Sequence, residues 1–240
     1  MRRLSIKTPA GQLDYRITRR NRVKKRMHME LDAAGELVIV APGHWSERQV
    51  GRVLRQNVSR VERFLLRARA RQVPALQYCD GEKHLFLGKS YPMVIKGCGH
   101  RRSGVEFAGG EFLVEMAKNN SVEVHELLKK WYKQQAQQVF AQRLQVISAR
   151  TDWVGDRQPT LRLRRMKRTW GNCSISGEIK LNTHLIKAPL SVVDSVIAHE
   201  LCHLVEMNHG KAFYALLENL NPAWKEDRKK LVSEGYQYLR

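Results

Sequence analysis

Pro189 to Phe213 reads PLSVVDSVIAHELCHLVEMNHGKAF, an apolar helical pattern with two histidines inside it and a third just beyond. Val192, Val193, Val196, Ile197, Leu201 and Leu204 recur at intervals of three and four, which predicts one amphipathic helix over Ser191 to Met207. Ser191, with Asp194 three residues on, predicts an N-cap and a capping-box acid. His199 and His203 are four apart, so their rings leave the same face one turn apart, as two imidazoles must to share an ion. Glu200 stands beside the first of them.

Were that helix to continue, His209 would lie about 120° round from His203 and about 9 Å further along the axis, out of reach of a shared ion. The helix must therefore stop. Asn208 tolerates a left-handed C′ position and Gly210 adds a second permissive point, which predicts a turn that brings His209 back to the pair. The spacing H-E-x-x-H-x5-H is that of metzincin ligands, with Glu206 where those proteases carry Gly. Three neutral ligands leave Zn2+ an open position for water, whose proton Glu200 would take as hydroxide attacks a carbonyl and then deliver to the leaving amine. That chemistry is metal-assisted amide hydrolysis. A bare H-E-x-x-H also arises by chance on surface helices, but here it lies in an apolar helix with a third His after a break. A closed structural zinc site would recruit four protein ligands and favour Cys. Cys202 lies about 100° round the helix from His203, which predicts a small buried core residue rather than a fourth ligand.

The run Trp170-Gly171-Asn172-Cys173-Ser174, then Ile179-Lys180-Leu181-Asn182, Pro189, His199-Glu200-Leu201-Cys202-His203-Leu204, Asn208-His209 and Phe213 resembles the YgjP-like family of metal-dependent hydrolases. Its metallopeptidase core is in turn similar to that of the SprT and Spartan proteases. The match is dense from Arg164 to about Leu231, and departs at Asn172, where the family more often has Ser. The resemblance implies a zincin-like fold, with His199, His203 and His209 as ligands and Glu200 as general base.

The chain has 240 residues and a hydrophobic content of 42%, enough for a globular core in one large domain or two small ones. No apolar run reaches the length of a membrane span, and no secretory h-region follows Met1-Arg2-Arg3-Leu4. Cys79, Cys98, Cys173 and Cys202 form no C-x-x-C pair or disulfide framework, which predicts a reducing, cytoplasmic setting. The net charge of +20 makes polyanions plausible partners. Residues 1–72 hold 18 Lys or Arg against 6 Asp or Glu, and Leu161 to Trp170 adds five more without an acid. The densest cluster is Arg16, Arg19, Arg20, Arg22, Lys24, Lys25 and Arg26. Such runs are by default solvated faces, and no helix-turn-helix, zinc-finger or RNP pattern converts them into a binding module.

Leu13 to Ile17, Met27 to Leu31 and Leu37 to Val40 read as strands, with Ala33-Ala34-Gly35 turning between the last two. From Ser46, a candidate N-cap, Val50, Val53, Leu54, Val58, Val61, Phe64, Leu65 and Ala68 predict one helix over Glu47 to Arg71. Its other face carries Arg48, Arg52, Arg55, Arg60, Arg63 and Arg67. Asp80-Gly81, Leu87-Gly88, Gly97 to Gly99 and Gly109-Gly110 punctuate four further strands between residues 76 and 116. A polar stretch at Asn119 to Ser121 suggests a boundary, followed by a long helix from Val122 to about Ala149. Leu161 to Leu163, Cys173 to Ile175 and Ile179 to Leu181 predict a small antiparallel sheet, and Trp170 and Asn182 lie within reach of the cleft it would border. Trp170 is expected to pack on the helix and Asn182 to tie down the loop after it. Helices follow over Lys211 to Leu220 and after Asn221-Pro222, where Pro222 would take N1.

The expectation is an α+β protein with an N-terminal β-rich region containing one long basic helix (residues 1–119) and a zincin-like metallopeptidase domain (residues 120–240). The leading function is zinc-dependent hydrolysis of a protein or peptide substrate, with no membrane partner. Two alternatives stand beside it: a SprT-like protease acting on DNA-associated proteins, and a non-enzymatic nucleic-acid-binding protein with structural zinc.

Overall fold

A computed structural model describes residues 3–8, 11–20, 26–32, 34–72, 74–97, 103–117, 120–152, 159–166 and 169–240, without the side chains of 70–72. Arg22, Lys24, Lys25, Ala33, Cys98, Gly99 and Asn119, singled out above, lie outside these residues. The described residues form an α+β structure of eleven strands and six α-helices, and the chain divides into two compact units. The first comprises Met1–Pro74 and Arg228–Gln237, the second Ala75–Asp227 and Tyr238–Arg240.

In the first unit β1 (Arg3–Thr8), β2 (Gly11–Arg19), β3 (His28–Leu31) and β4 (Leu37–Ala41) form a sheet of order β1-β2-β4-β3, in which only the central β2–β4 pair is parallel. The predicted single helix is two, α1 (Glu47–Gln56) and α2 (Val58–Gln72). Asn57 divides them: its side-chain amide donates to the Val53 carbonyl at 2.9 Å and its own N–H to Leu54, closing the first helix before the second begins. Ser46 does cap α1, in a reciprocal capping box with Gln49. Val50, Leu54, Val61 and Leu65 pack with Ile6, Tyr15, Leu37 and Ile39 of the sheet, while the six arginines of the opposite face are exposed. That face is solvated, as helix amphipathicity dictates. Arg228 ties the C-terminal helix to α2 through a forked pair with Glu62, Nη2 to Oε2 at 2.8 Å.

The second unit holds two sheets. β5 (Lys83–Phe86), β6 (Lys89–Gly97), β7 (Gly104–Ala108) and β8 (Glu111–Met116) are ordered β5-β6-β8-β7. Phe86, Phe107 and Phe112 meet Trp131 of α3 (Ser121–Ser148) with ring centroids 4.9 to 6.2 Å apart. This aromatic packing joins the strands to α3, so the division falls after Pro74, whereas the polar stretch at Asn119 to Ser121 lies inside a unit. β9 (Thr160–Arg164), β10 (Gly171–Cys173) and β11 (Glu178–Asn182) make the other sheet, ordered β10-β11-β9. It is mixed rather than antiparallel: β10 and β11 form a hairpin, but β9 runs parallel to β11. Ile175, expected in a strand, is 90% exposed in the hairpin turn.

Two devices fix the start of the metal-motif helix, α4 (Leu190–Cys202). The β5–β6 turn, with Leu87 at φ 46° and Gly88 at φ 83°, donates its N–H groups to the carbonyls of Ile186 and Lys187. A Cβ on Gly88 would stand 2.8 Å from Pro189, so this close approach admits only glycine. Asp194 serves no capping box. It takes a forked pair from Arg143 of α3, both contacts at 2.7 Å. Nor does Ser191 cap: Pro189 is the N-cap, without a side-chain bond, and its carbonyl accepts from Val192 and Val193.

Asn182, fully buried, ties the loop before β10 to the short 3-10 turn Thr183–Lys187 that precedes α4. Its amide donates to the carbonyls of Met166 at 2.8 Å and Thr169 at 3.0 Å, and its oxygen accepts from His184 N–H at 3.2 Å. Trp170, within reach of the cleft by sequence but expected to pack on the helix, turns its ring to Tyr238, with centroids 6.1 Å apart. Asn182→Ala removes three part-buried hydrogen bonds and lowers unfolding free energy by about 1 to 3 kcal/mol. Urea denaturation measures this as a lower midpoint with unchanged slope.

Candidate metal centre

The helix carrying the H-E-x-x-H run is apolar almost all round. Val192, Val193, Val196, Ile197, Ala198, Leu201 and Cys202 are buried, and Glu200 is only 5% exposed. A helix buried on most of its faces is a core helix, so His199 and His203, which reach solvent near its C-terminal end, are held rigidly. Leu190, Ser191, Asp194 and Ser195 are exposed or half-buried nearer its start. Cys202 is buried, as its angular position predicts, and takes no part in the histidine cluster.

The helix ends at Cys202, earlier than the predicted Met207, and it ends differently. Neither Asn208 nor Gly210 adopts a left-handed conformation; Gly210 has φ −88° and caps the next helix, α5 (Lys211–Leu220). The chain turns by tightening instead. His203, Leu204 and Val205 donate to carbonyls three residues back, and Glu206 N–H bonds Cys202 at 2.9 Å, which satisfies the last carbonyls of the helix within one turn. The Glu206 carboxylate then accepts from Asn208 N–H at 3.1 Å, and Gly210 N–H bonds Asn208 at 2.7 Å.

This turn brings His209 to the pair. His199, His203 and His209 each offer one ring nitrogen, and the three atoms lie within 4.8 Å of one another. His199 Nε2 and His209 Nε2 are 3.0 Å apart. Nitrogens bound tetrahedrally to zinc stand about 3.3 Å apart, so small side-chain rotations bring the set to ligand spacing. His203 Nδ1 lies 3.1 Å from the Glu206 carbonyl; donation there fixes the tautomer and leaves Nε2 for a metal. Phe213, fully buried, lies against all three imidazoles with centroids 4.6 to 4.9 Å away. The first residues of α5 thus form a back wall to the three rings. Tyr214 faces His209 at 6.4 Å and stacks on Trp224 at 5.2 Å. No further His, Cys, Asp or Glu joins the cluster among the described residues.

Glu200 occupies a seat that the motif alone does not reveal. Its carboxylate lies against the main chain of Gly171 on edge strand β10: a Cβ there would stand 2.5 Å from Oε1 and 2.9 Å from Cδ. Glycine inside a strand signals such a close approach, and that was the one available hint. Burial pushes the carboxyl up to about 8, the behaviour of an acid kept from water without a cation. A divalent ion at the adjacent imidazoles would supply that cation, so the donor set and the buried acid together suit a metal. Burial also lowers His203, which favours the neutral ring a metal needs, and pushes the Cys173 thiol up to about 11.

A family model described as the YgjP-like metallopeptidase domain matches residues 25–234. No curated protein and no solved structure matches the chain.

Gly171→Ala forces the Glu200 carboxylate or strand β10 to move and costs about 1 to 3 kcal/mol of stability. Gly104→Ala, on a strand with nothing within 4 Å of the added carbon, is neutral or slightly stabilising. Thermal denaturation of the two variants side by side checks the difference in sign.

Proposed function

Since the chain belongs to the YgjP-like metallopeptidase family, we propose that it is a zinc-dependent peptidase in which His199, His203 and His209 hold the ion and Glu200 is the general base. The observation that carries this reading is the convergence of the three ring nitrogens, two from one face of a buried helix and one from the turn after it. The family fixes the broader class, a metal-dependent peptidase acting on protein or peptide. Zinc is favoured over other divalent ions because three imidazoles without a carboxylate suit a borderline-soft ion that prefers tetrahedral coordination.

A zinc ion bound there supplies Lewis-acid polarisation of water and of the scissile carbonyl. The protein does the remainder. Glu200 takes a proton from the attacking water and later delivers it to the departing amine, a role suited to a carboxylate whose proton affinity burial has raised. The Glu206 carbonyl keeps His203 in the tautomer that presents Nε2. Strand β10 is an edge of its sheet and borders Glu200 through Gly171, so an extended peptide laid along it as an added strand would pass its carbonyls by the base. An arrangement of this kind is what the resemblance to zincin-like peptidases implies. Among the described residues no helix is long and apolar enough to cross a membrane.

A second reading, in which the same chemistry acts on DNA-associated proteins, is favoured by the exposed arginine face of α1 and α2. Stimulation of cleavage by DNA, lost at high salt, would select it.

Purified protein is expected to contain stoichiometric zinc, retained in Glu200→Gln and lost in His209→Ala, as elemental analysis measures. Cleavage of an unstructured protein substrate falls about 10² to 10⁴-fold in Glu200→Gln, the usual worth of a positioned base. Undiminished cleavage by that variant, or full metal content without His209, would overturn the assignment.

A further inference from the structure

We propose that the outer face of the helical layer formed by α1 and α2 binds the phosphate backbone of duplex nucleic acid without regard to its sequence. α1 lies against β1 and α2 against β3, the two edges of the N-terminal sheet. Val50, Leu54, Val61 and Leu65 bury the inner sides of both helices in one core cluster on that sheet, so their outer sides point the same way. Arg48 and Arg52 stand about 40° apart round α1, and Arg60, Arg63 and Arg67 fall within about 60° of one another round α2. All five are exposed.

Solvation accounts for the exposure of these side chains but not for their kind. Residues 47–72 contain eight arginines, two acids and no lysine. Of the acids, Glu62 is taken by Arg228 and Glu47 sits in the first turn of α1. Lysine, or alternating signs, would serve solubility as well. Like charges three and four apart, as at Arg48–Arg52, Arg60–Arg63 and Arg63–Arg67, repel and weaken their own helix. Arginines elsewhere have carboxylate partners: Arg16 with Asp32, Arg20 with Glu30, Arg143 with Asp194 and Arg162 with Glu178. The five on the helical face make no ion pair among the described residues. Rows of guanidinium forks without counter-ions are what a run of phosphates neutralises, with paired hydrogen bonds that an ammonium cannot form.

What the face lacks separates duplex nucleic acid from other anionic partners. A helix that lies on a membrane turns its apolar side into the lipid, but here that side is buried against the sheet and neither helix exposes a large hydrophobic side chain. Protein interfaces centre on aromatic and apolar anchors, and single strands stack their bases on aromatic rings. Phe64, the one aromatic residue of the two helices, packs against the core. Two amides that could reach base edges are engaged as well, Gln49 in the capping box and Asn57 on the Val53 carbonyl. The remaining rows of charge hold a regular backbone and read no bases.

Fluorescence anisotropy of the full chain with a labelled DNA duplex of about twenty base pairs, between about 50 and 200 mM salt, tests the surface. Affinity is expected to fall with a log–log slope of about −4 to −5, because each neutralised phosphate contributes about −0.9. Arg52→Ala, Arg60→Ala and Arg63→Ala combined should flatten that slope by about 3 and weaken binding about tenfold or more at the lower salt. Lys89→Ala, Lys130→Ala and Lys133→Ala combined remove the same charge from exposed positions of the second unit and should bind as the wild type does. Neither variant should lower the melting temperature, since all six side chains are exposed and unpaired among the described residues. Equal losses in the two variants would reduce the attraction to net charge and overturn the proposal. So would the absence of salt-dependent binding, or tighter binding to a single strand of the same length or to phosphatidylserine–phosphatidylcholine vesicles than to the duplex. The inference concerns binding alone and does not rest on the peptidase reading: its failure leaves the metal assignment standing, and His209→Ala should bind the duplex as the wild type does.

Discussion

Three imidazoles drawn from a helix and from the chain just past it can face one point only if the helix stops within a turn of the second. The candidate site rests on that constraint, and it is met by tightening the backbone. Bonds spanning three residues at His203, Leu204 and Val205 use up the terminal carbonyls, so the chain leaves the helix axis without a left-handed residue. Leu204 is buried beside Gly177, and Phe213 lies under all three rings. The bend is therefore pinned by apolar burial on both sides of the histidines.

The rigidity of that bend is inherited from α4. Burial on nearly every face fixes its rotation, and Arg143 to Asp194 fixes it against α3. Its start is held by Gly88 against Pro189 and by Asn182, whose buried amide bonds both flanking segments. A catalytic group needs a supporting shell of this sort, since small misplacements are expensive in rate. Glu200 shows the same economy: its seat exists because Gly171 lacks a side chain, so strand β10 positions the acid.

Charge in this chain falls into two physically different sets. The arginines of α1 and α2 are exposed on a solvated helical face, where water screens them and costs are low. Lys187 is the opposite case, a cation withdrawn from water, its ammonium bonded to a main-chain oxygen of Arg240 and lying over the Tyr132 ring. Equal formal charges thus contribute to solubility in one place and carry, in the other, a desolvation cost that local partners must offset.

Periodicity and motif spacing alone predicted one helix where α1 and α2 stand, the helices α3 to α5 and another after Asn221, and they placed His199 and His203 on one face with His209 as the candidate third ligand. These are local properties: side chains four apart share a helix face whatever surrounds them. The α+β class and the strands flanking Gly35, Gly88 and Gly110 were legible for the same reason, since turn residues act over short range. Tertiary structure decided the rest. Asn57 splits a helix that its apolar pattern would continue, Asp194 takes Arg143 as partner instead of capping, and β9 pairs parallel to β11, because alternation marks a strand without giving its direction. The seat of Glu200 on Gly171 joins residues about thirty positions apart in sequence, and the Arg143–Asp194 pair joins residues about fifty apart. No local pattern encodes such meetings; they arise only when packed elements bring distant atoms within contact range.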